Sequence, residues 1–243
     1  GFFKNLEQAK ETSRAKAKFT LTGEWKIVIE GAGRFVGYEK NEIETEILRY
    51  NESGKNIEIV LAESPFYAEA GGQVGETGWI IGNDFRLKVL DTYWLQGVIT
   101  SHCEVESGKF IPGAVLAKVD LRHRKESARA HTTTHLLHAA LRKILGEHAR
   151  QEGSFVGPGR FRFDFIHFKP LSDDEIKTIE DLVNEKIMET IKVEKFWTTL
   201  DEAKKLGAIA LFGEKYEKNV RVVKIDAFSI ELCGGIHLDN TGE

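Results

Sequence analysis

Two short stretches of this chain carry metal-binding residue types, and each sets its two donors four positions apart. One is His131-Thr132-Thr133-Thr134-His135; the other is Cys233-Gly234-Gly235-Ile236-His237. Imidazoles at i and i+4 share one face of a helix and can reach a single ion. Two glycines between a Cys and a His permit a tight turn that a helix would not favour. Together the stretches offer three imidazoles and one thiolate, the number and kind of donors that zinc takes. A metalloprotease uses the same His spacing but needs Glu directly after the first His as general base. Thr132 stands there, so the peptidase reading fails.

The rest of the chain must supply the elements that bring the two pairs together. Its 243 residues are 41% hydrophobic and 30% charged, enough for one large domain or two modest ones. The net charge of −4 gives no global attraction to nucleic acid, so any RNA contact has to be a local patch. Cys103 and Cys233 are the only cysteines, which argues against a disulfide framework and fits a reducing compartment. There is no signal peptide, and no apolar run nears the roughly 20 residues of a membrane span. The expectation is a cytoplasmic protein with no membrane partner. The chain starts at Gly1 without Met and stops a few residues after His237, so it reads as a piece of a longer protein.

Residues 4–19 read as a polar helix with a thin apolar stripe, a linker over 1–20. From 21 to 119, short β-prone runs recur at Trp25–Ile29, Ile43–Tyr50, Ile57–Ala62, Phe85–Asp91, Gly97–Val105 and Val115–Val119. Gly, Asn and Ser punctuate them, which predicts a small β-barrel or sandwich. From 120 to 243 the pattern is α+β. Apolar residues at helical spacing cover 124–150 and carry the histidine pair. Phe161, Phe163 and Phe165 alternate as a strand over Phe161–Phe168. Ser172-Asp173-Asp174-Glu175 is an N-cap signature for a helix to about Thr190. A short helix at Leu200–Leu206 and strands at Val220–Ile225 and Phe228–Glu231 lead into Cys233. His138 reads as core or rim, and His148 as a residue near a helix C-terminus, where the dipole favours it. His102, His123 and His167 have no partner in sequence, and Cys103 reads as a strand residue.

At several places the residues resemble one family. His131 to Arg142, Gln151-Glu152-Gly153-Ser154, Arg162-Phe163-Asp164-Phe165 and Glu231-Leu232-Cys233-Gly234-Gly235 with His237 closely resemble the editing domain of alanyl-tRNA synthetases. Ala68-Glu69-Ala70-Gly71-Gly72-Gln73-Val74-Gly75-Glu76-Thr77-Gly78 resembles the glycine-rich motif of that family's β-barrel subdomain, and Gly207 to Tyr216 also fits. The likeness runs through the whole chain in the family's order. Threonyl-tRNA synthetases share the ligand pairs but not this barrel.

The resemblance implies an N-terminal β-barrel subdomain followed by a two-layer α+β editing core. It implies hydrolysis of serine or glycine wrongly esterified to tRNA(Ala), at a zinc ion held by His131, His135, Cys233 and His237. The alternatives are a tRNA-binding module with structural zinc and no turnover, and a free-standing trans-editing relative. Thr134, Gln151 and Ser154, the last two on a loop after the helix, are the specificity residues that the family pattern gives, beside Cys233 at the reacting centre. Gln73 faces the site or the tRNA. Arg122, Arg124 and Arg129 belong to a basic run that is either a clamp for acceptor-end phosphates of the partner tRNA(Ala) or a solvated helix face. Arg162 and Asp164 support the pocket from a strand, or else Asp164 is a surface or ion-paired carboxylate. The parent's other domains are the remaining partners. No carboxylate flanks either ligand pair in the usual general-base position, which leaves the proton to the vicinal ribose hydroxyl or to the metal. Ile236 departs from the family, which usually has Thr between the second Gly and the His. Its loss of a hydroxyl suits an apolar wall.

Overall fold

The computed structural model describes residues 24–210 and 217–243. The polar helix expected at 4–19, and residues 211–216 of the motif that begins at Gly207, lie outside the described residues.

Nine strands come first: β1 (Lys26–Ile27), β2 (Arg34–Phe35), β3 (Glu42–Ser53), β4 (Asn56–Leu61), β5 (Glu63–Ser64), β6 (Gly78–Ile81), β7 (Phe85–Leu95), β8 (Val98–Gly108) and β9 (Ala114–Val119). Period-two patterning makes them two-faced. In β3, Ile43, Thr45 and Ile47 are buried between exposed Glu42, Glu44 and Glu46; in β7, Phe85, Leu87 and Val89 are buried between exposed neighbours. The strands pair in the order β3-β4-β8-β7-β6-β9, and β9 pairs back onto β3, so the sheet closes into a barrel. Ile47, Ile59, Phe66, Ile80 and Leu87, all fully buried, fill it.

The second half is built on α1 (Leu121–Leu145). Asp120 caps it by accepting the Arg122 and His123 N–H groups, and Gly146 ends it. The hairpin β10 (Gln151–Gly157) and β11 (Arg160–Phe165) follows. Then come α2 (Asp173–Met188), β12 (Val193–Thr199), α3 (Leu200–Lys205), β13 (Asn219–Ile225) and β14 (Ser229–Leu232). The Ser172/Glu175 capping box is present at the head of α2. β12, β13 and β14 form an antiparallel sheet. Leu136, Ala140 and Leu141 of α1 meet Ile179 and Val183 of α2 and Val193, Val223 and Ile225 of the sheet in a second core.

Five strands escape the sequence pattern, two of them the two-residue β2 and β5. β6 begins at Gly78, the last residue of the glycine-rich motif, β12 interleaves charged and apolar residues, and β10 stands where a loop was expected, with Gly153 inside it. The α1 helix stops at Leu145 rather than 150, where Gly146 takes a positive φ of 110°.

Arg124 ties the two halves together. It is not an exposed member of a basic run: its guanidinium is buried, and all five donors are used within the protein. Nε donates to Glu76 Oε1 at 2.7 Å, Nη1 to Gly37 O and Asn41 Oδ1, and Nη2 to Pro65 O and Glu76 Oε2. Glu76 is fully buried. Removing one partner strands the other charge in a dry interior. Arg124→Met is therefore expected to lower the unfolding free energy by about 3–5 kcal/mol, read from urea denaturation. A loss below about 1 kcal/mol, the range of exposed pairs, would show the pair to be dispensable.

Candidate metal centre

His131 and His135 are one turn apart on α1 and both are buried. Cys233 and His237 come from the segment that leaves β14. The donor atoms of all four lie within 4.8 Å of one another. Cys233 Sγ is 3.4 Å from His131 Nε2 and 3.3 Å from His237 Nε2. Nitrogen and sulfur ligands on one tetrahedral zinc stand about 3.3–3.6 Å apart, given the usual bond lengths. The quartet therefore fits zinc without rearrangement of these pairs.

Outer partners set the imidazole tautomers. Gln73 Oε1 accepts the Ile236 backbone N–H at 2.9 Å, so the atom at that position is the oxygen. The same oxygen is 2.8 Å from His131 Nδ1, which must then be the protonated nitrogen, leaving Nε2 bare for a metal. Thr132 Oγ1 lies 3.2 Å from His237 Nδ1 and plays the matching part. Burial, helped by the neighbouring His135 charge, pushes His131 down to about 3. Burial likewise lowers His135 and takes His237 well below its ordinary value. Neutral imidazoles at neutral pH are the metal-binding form.

Of the two glycines in Cys233-Gly234-Gly235, the second serves space rather than turn geometry. A Cβ at Gly235 would sit 2.0 Å from the His131 ring and 2.8 Å from Gln73 Oε1. Only a residue without a side chain lets His131 close on this segment. Gly72 plays a similar part on the barrel side, where a Cβ would strike Ser154 Oγ at 2.3 Å.

The quartet opens on a cavity of about 270 Å³. His131, Thr134, His135, Gln151, Ser154 and Cys233 line it. Gln151 Nε2 donates to Ser154 Oγ at 3.1 Å. Residues three apart on a strand normally face opposite ways, but a bulge between Gln151 and Gly153 returns both to one face.

The model for class II (A) tRNA synthetases matches residues 1–123. The model for the second additional domain of threonyl and alanyl tRNA synthetases matches residues 220–243. Alanine–tRNA ligase of Parabacteroides distasonis is 44% identical over 246 residues, covering 99% of this chain and 28% of that protein. The ligases of Caldicellulosiruptor saccharolyticus and Thermotoga maritima are 43% and 44% identical, each over 100% of this chain and 29% and 30% of the relative. The chain belongs to the alanyl-tRNA synthetase family. It spans less than a third of the length of these relatives.

Within this family member, the residues singled out from sequence divide into two groups. His131, Thr134, His135, Gln151, Ser154 and Cys233 meet at the cavity, with His237 completing the quartet and Gln73 behind His131. The remaining residues do not meet there. Arg122 is exposed and pairs with Glu126; Arg129 Nε donates to Glu243 O. Arg162 and Asp164 pair with each other on the exposed face of β11, so they do not shape the cavity wall. Ile236 is buried against Tyr67, Ala128 and Leu238, away from the cavity, so its missing hydroxyl leaves no gap in the wall.

A carboxylate, not foreseen from the spacing, also reaches the site. Glu231 is buried, lines the cavity and stands 4.0 Å from His135 Nε2. Its Oε1 accepts from His138 Nδ1 and Ser229 Oγ, both at 3.1 Å. Burial alone would raise its affinity for a proton, but the His135 charge and the His138 hydrogen bond outweigh burial and hold the carboxyl below its ordinary range. Strand alternation was the available signal, since Glu231 is two residues before Cys233. Arg221 was also missed. It is a lone charge in the apolar run Val220-Arg221-Val222-Val223, buried, and donates to Cys233 O and Gly235 O. His102 and His167, without partners in sequence, find them in space: His102 beside Glu58 at 2.5 Å, and His167 at 3.0 Å from His148, which was expected near a helix C-terminus.

Three substitutions separate these roles. Gly235→Ala is expected to abolish zinc uptake measured by metal analysis, whereas Gly234→Ala, whose Cβ would meet only Tyr38 Oη at 3.7 Å, keeps it. Gln73→Leu is expected to weaken zinc about 10–100-fold in chelator competition. Unchanged affinity would mean that His131 needs no outer partner.

Proposed function

We infer that this chain removes wrongly attached serine or glycine from tRNA(Ala) by hydrolysing the aminoacyl ester at a zinc site, as the editing part of an alanine–tRNA ligase. The observation that carries the reading is the opening of the His/Cys quartet onto a cavity walled by hydroxyl and amide groups. The need is physical. A synthetic pocket rejects an amino acid the size of alanine by only about 1–3 kcal/mol, and a second, hydrolytic site supplies the remaining discrimination.

His131, His135, Cys233 and His237 would hold the zinc. A bound zinc supplies Lewis acidity, and where a water joins it, a nucleophile near neutral pH. The protein's own groups do the rest. Thr134 Oγ1 donates to His131 O at 2.7 Å, which leaves its lone pairs to accept from a serine hydroxyl. Ser154 already accepts from Gln151, so its own proton is free to donate. For serine, a site built this way discriminates against alanine, which would leave those groups unpaired. Glu231 faces the cavity as a carboxylate and is the group placed to take a proton from the attacking water. The substrate is the acceptor end of tRNA(Ala), met in the cytoplasm, with other domains of the parent synthetase supplying further contacts. Arg122 and Arg129, exposed on the first half of α1, are the proposed phosphate contacts.

One observation favours a second reading. Four protein donors saturate a tetrahedral ion, as in structural zinc. On that reading the chain is a tRNA-binding module without turnover.

Deacylation of Ser-tRNA(Ala) against Ala-tRNA(Ala), with zinc determined on the same sample, decides between them. Selective loss of serine is expected. Cys233→Ala is expected to abolish it while circular dichroism stays native. Zinc without hydrolysis, or a Cys233→Ala protein that unfolds, would favour the structural-zinc module.

A further inference from the structure

The three successive carbonyls of the ligand loop are all held from outside the cavity. Cys233 O and Gly235 O accept from the same atom, Arg221 Nη1, at 3.0 and 2.8 Å. Gly234 O accepts from the Tyr38 hydroxyl at 2.5 Å. Among the described residues no peptide bond is cis, and in a trans peptide the C=O and the following N–H point in opposite directions. Each carbonyl that is held therefore aims the next N–H. Gly235 N–H must turn away from Tyr38, and it lies 3.4 Å from Cys233 Sγ. Ile236 N–H must turn away from Arg221, and it meets Gln73 Oε1 at 2.9 Å. The same rule turns Gly234 N–H away from Arg221. Gly234 is exposed and forms part of the cavity wall beside Cys233. No acceptor among the described residues takes its N–H. A backbone donor is an obligatory hydrogen-bonding group, and none of the described residues satisfies this one.

We propose that the Gly234 N–H receives the ester carbonyl oxygen as it becomes an oxyanion, and that Arg221 and Tyr38 are the positioning residues that aim it. This rests on the hydrolase reading above. The water oxygen bonds to the carbonyl carbon, and the C=O π pair moves onto the carbonyl oxygen, where the Gly234 N–H meets it. Collapse re-forms the C=O bond and breaks the bond to the ribose oxygen. That oxygen takes up the proton released by the water. The products are the free amino acid and a tRNA with its ribose hydroxyl restored. Donors already oriented before reaction stabilise such charge without reorganisation. The supports of this one are rigid. The Arg221 guanidinium is buried and lies over the Tyr38 ring, 4.2 Å from its centroid; Arg221 O accepts the Cys233 N–H; and Phe35 packs edge-on against Tyr38 at 4.8 Å.

The test uses two analogues of 3′-seryl-adenosine. In one a phosphonate puts an anionic tetrahedral centre where the ester carbonyl was; in the other an amide keeps the centre planar. In ¹⁵N-glycine-labelled protein loaded with zinc, the Gly234 amide proton is expected to move downfield with the phosphonate more than with the amide, and that of Gly235 to stay. Tyr38→Phe and Arg221→Lys are expected to lower kcat for Ser-tRNA(Ala) deacylation roughly tenfold, less than the 10²–10³ that follows outright loss of such a donor. KM, zinc content and affinity for the amide should hold, while affinity for the phosphonate falls in parallel with kcat. Phosphonate binding that leaves the Gly234 amide unmoved would overturn the proposal. So would variants that lose zinc or amide affinity together with kcat, which is the mark of a purely structural role. If the wild-type chain neither deacylates Ser-tRNA(Ala) nor binds either analogue, the hydrolase reading itself has failed and the proposal falls with it.

Discussion

The ion pair between Arg124 and Glu76 is where the geometry of the site begins. Both charges are out of water, and every donor of the guanidinium is matched by an oxygen from the barrel half or from the loops around it. A pair desolvated to this degree tolerates almost no change in relative position, because any shift exposes an unmatched charge to a low-dielectric interior. It therefore locks the second turn of α1 against the glycine-rich segment that carries Gln73. Gln73 in turn reaches across to His131 and to Ile236. A barrel with no metal ligand of its own thus dictates which nitrogen of His131 is bare and how closely the Cys233 segment can approach.

Outer contacts hold two of the three imidazoles of the quartet and the cysteine loop, while His135 Nδ1 is buried without a hydrogen-bond partner among the described residues. Gln73 orients His131, Thr132 orients His237, and Arg221 with Tyr38 grips the loop that bears Cys233. These partners come from the barrel, from α1, from β13 and from the loop after β2. A donor set spread over that many elements is rigid only if all of them pack correctly, which is what the two hydrophobic cores provide.

Much of this was legible in the sequence, for reasons that differ by element. The ligand quartet was legible because its chemistry is rare and its spacing regular. The barrel strands with strict alternation, such as β3 and β7, were legible because one face is dry and the other wet. β10 was not, because a bulge and Gly153 break its period, although that same bulge brings Gln151 and Ser154 to one face. Arg124 was read as a surface cation because a run of basic residues carries no sign of which member is buried. Glu231 was read only as part of a motif: alternation sets it on the same side of the strand as Cys233, but nothing local says that this side turns toward His135. Arg221 and Tyr38 act through contacts 12 and 196 residues distant in the chain. Pairings of that kind appear only after folding.

The distance along the chain between the two ligand pairs has a consequence for how the protein assembles. His131 and Cys233 are 102 residues apart. The histidine pair is ready as soon as α1 forms, a local event. The cysteine loop waits for β13 and β14 to pair and for Arg221 to find its carbonyls, which are contacts of longer range and slower formation. Closing a loop of that length also carries an entropic cost that no single contact repays. A metal ion would therefore meet a nearly finished protein. In this architecture a metal ion at the quartet would be a late bolt on an assembled frame, not the seed around which the frame crystallises.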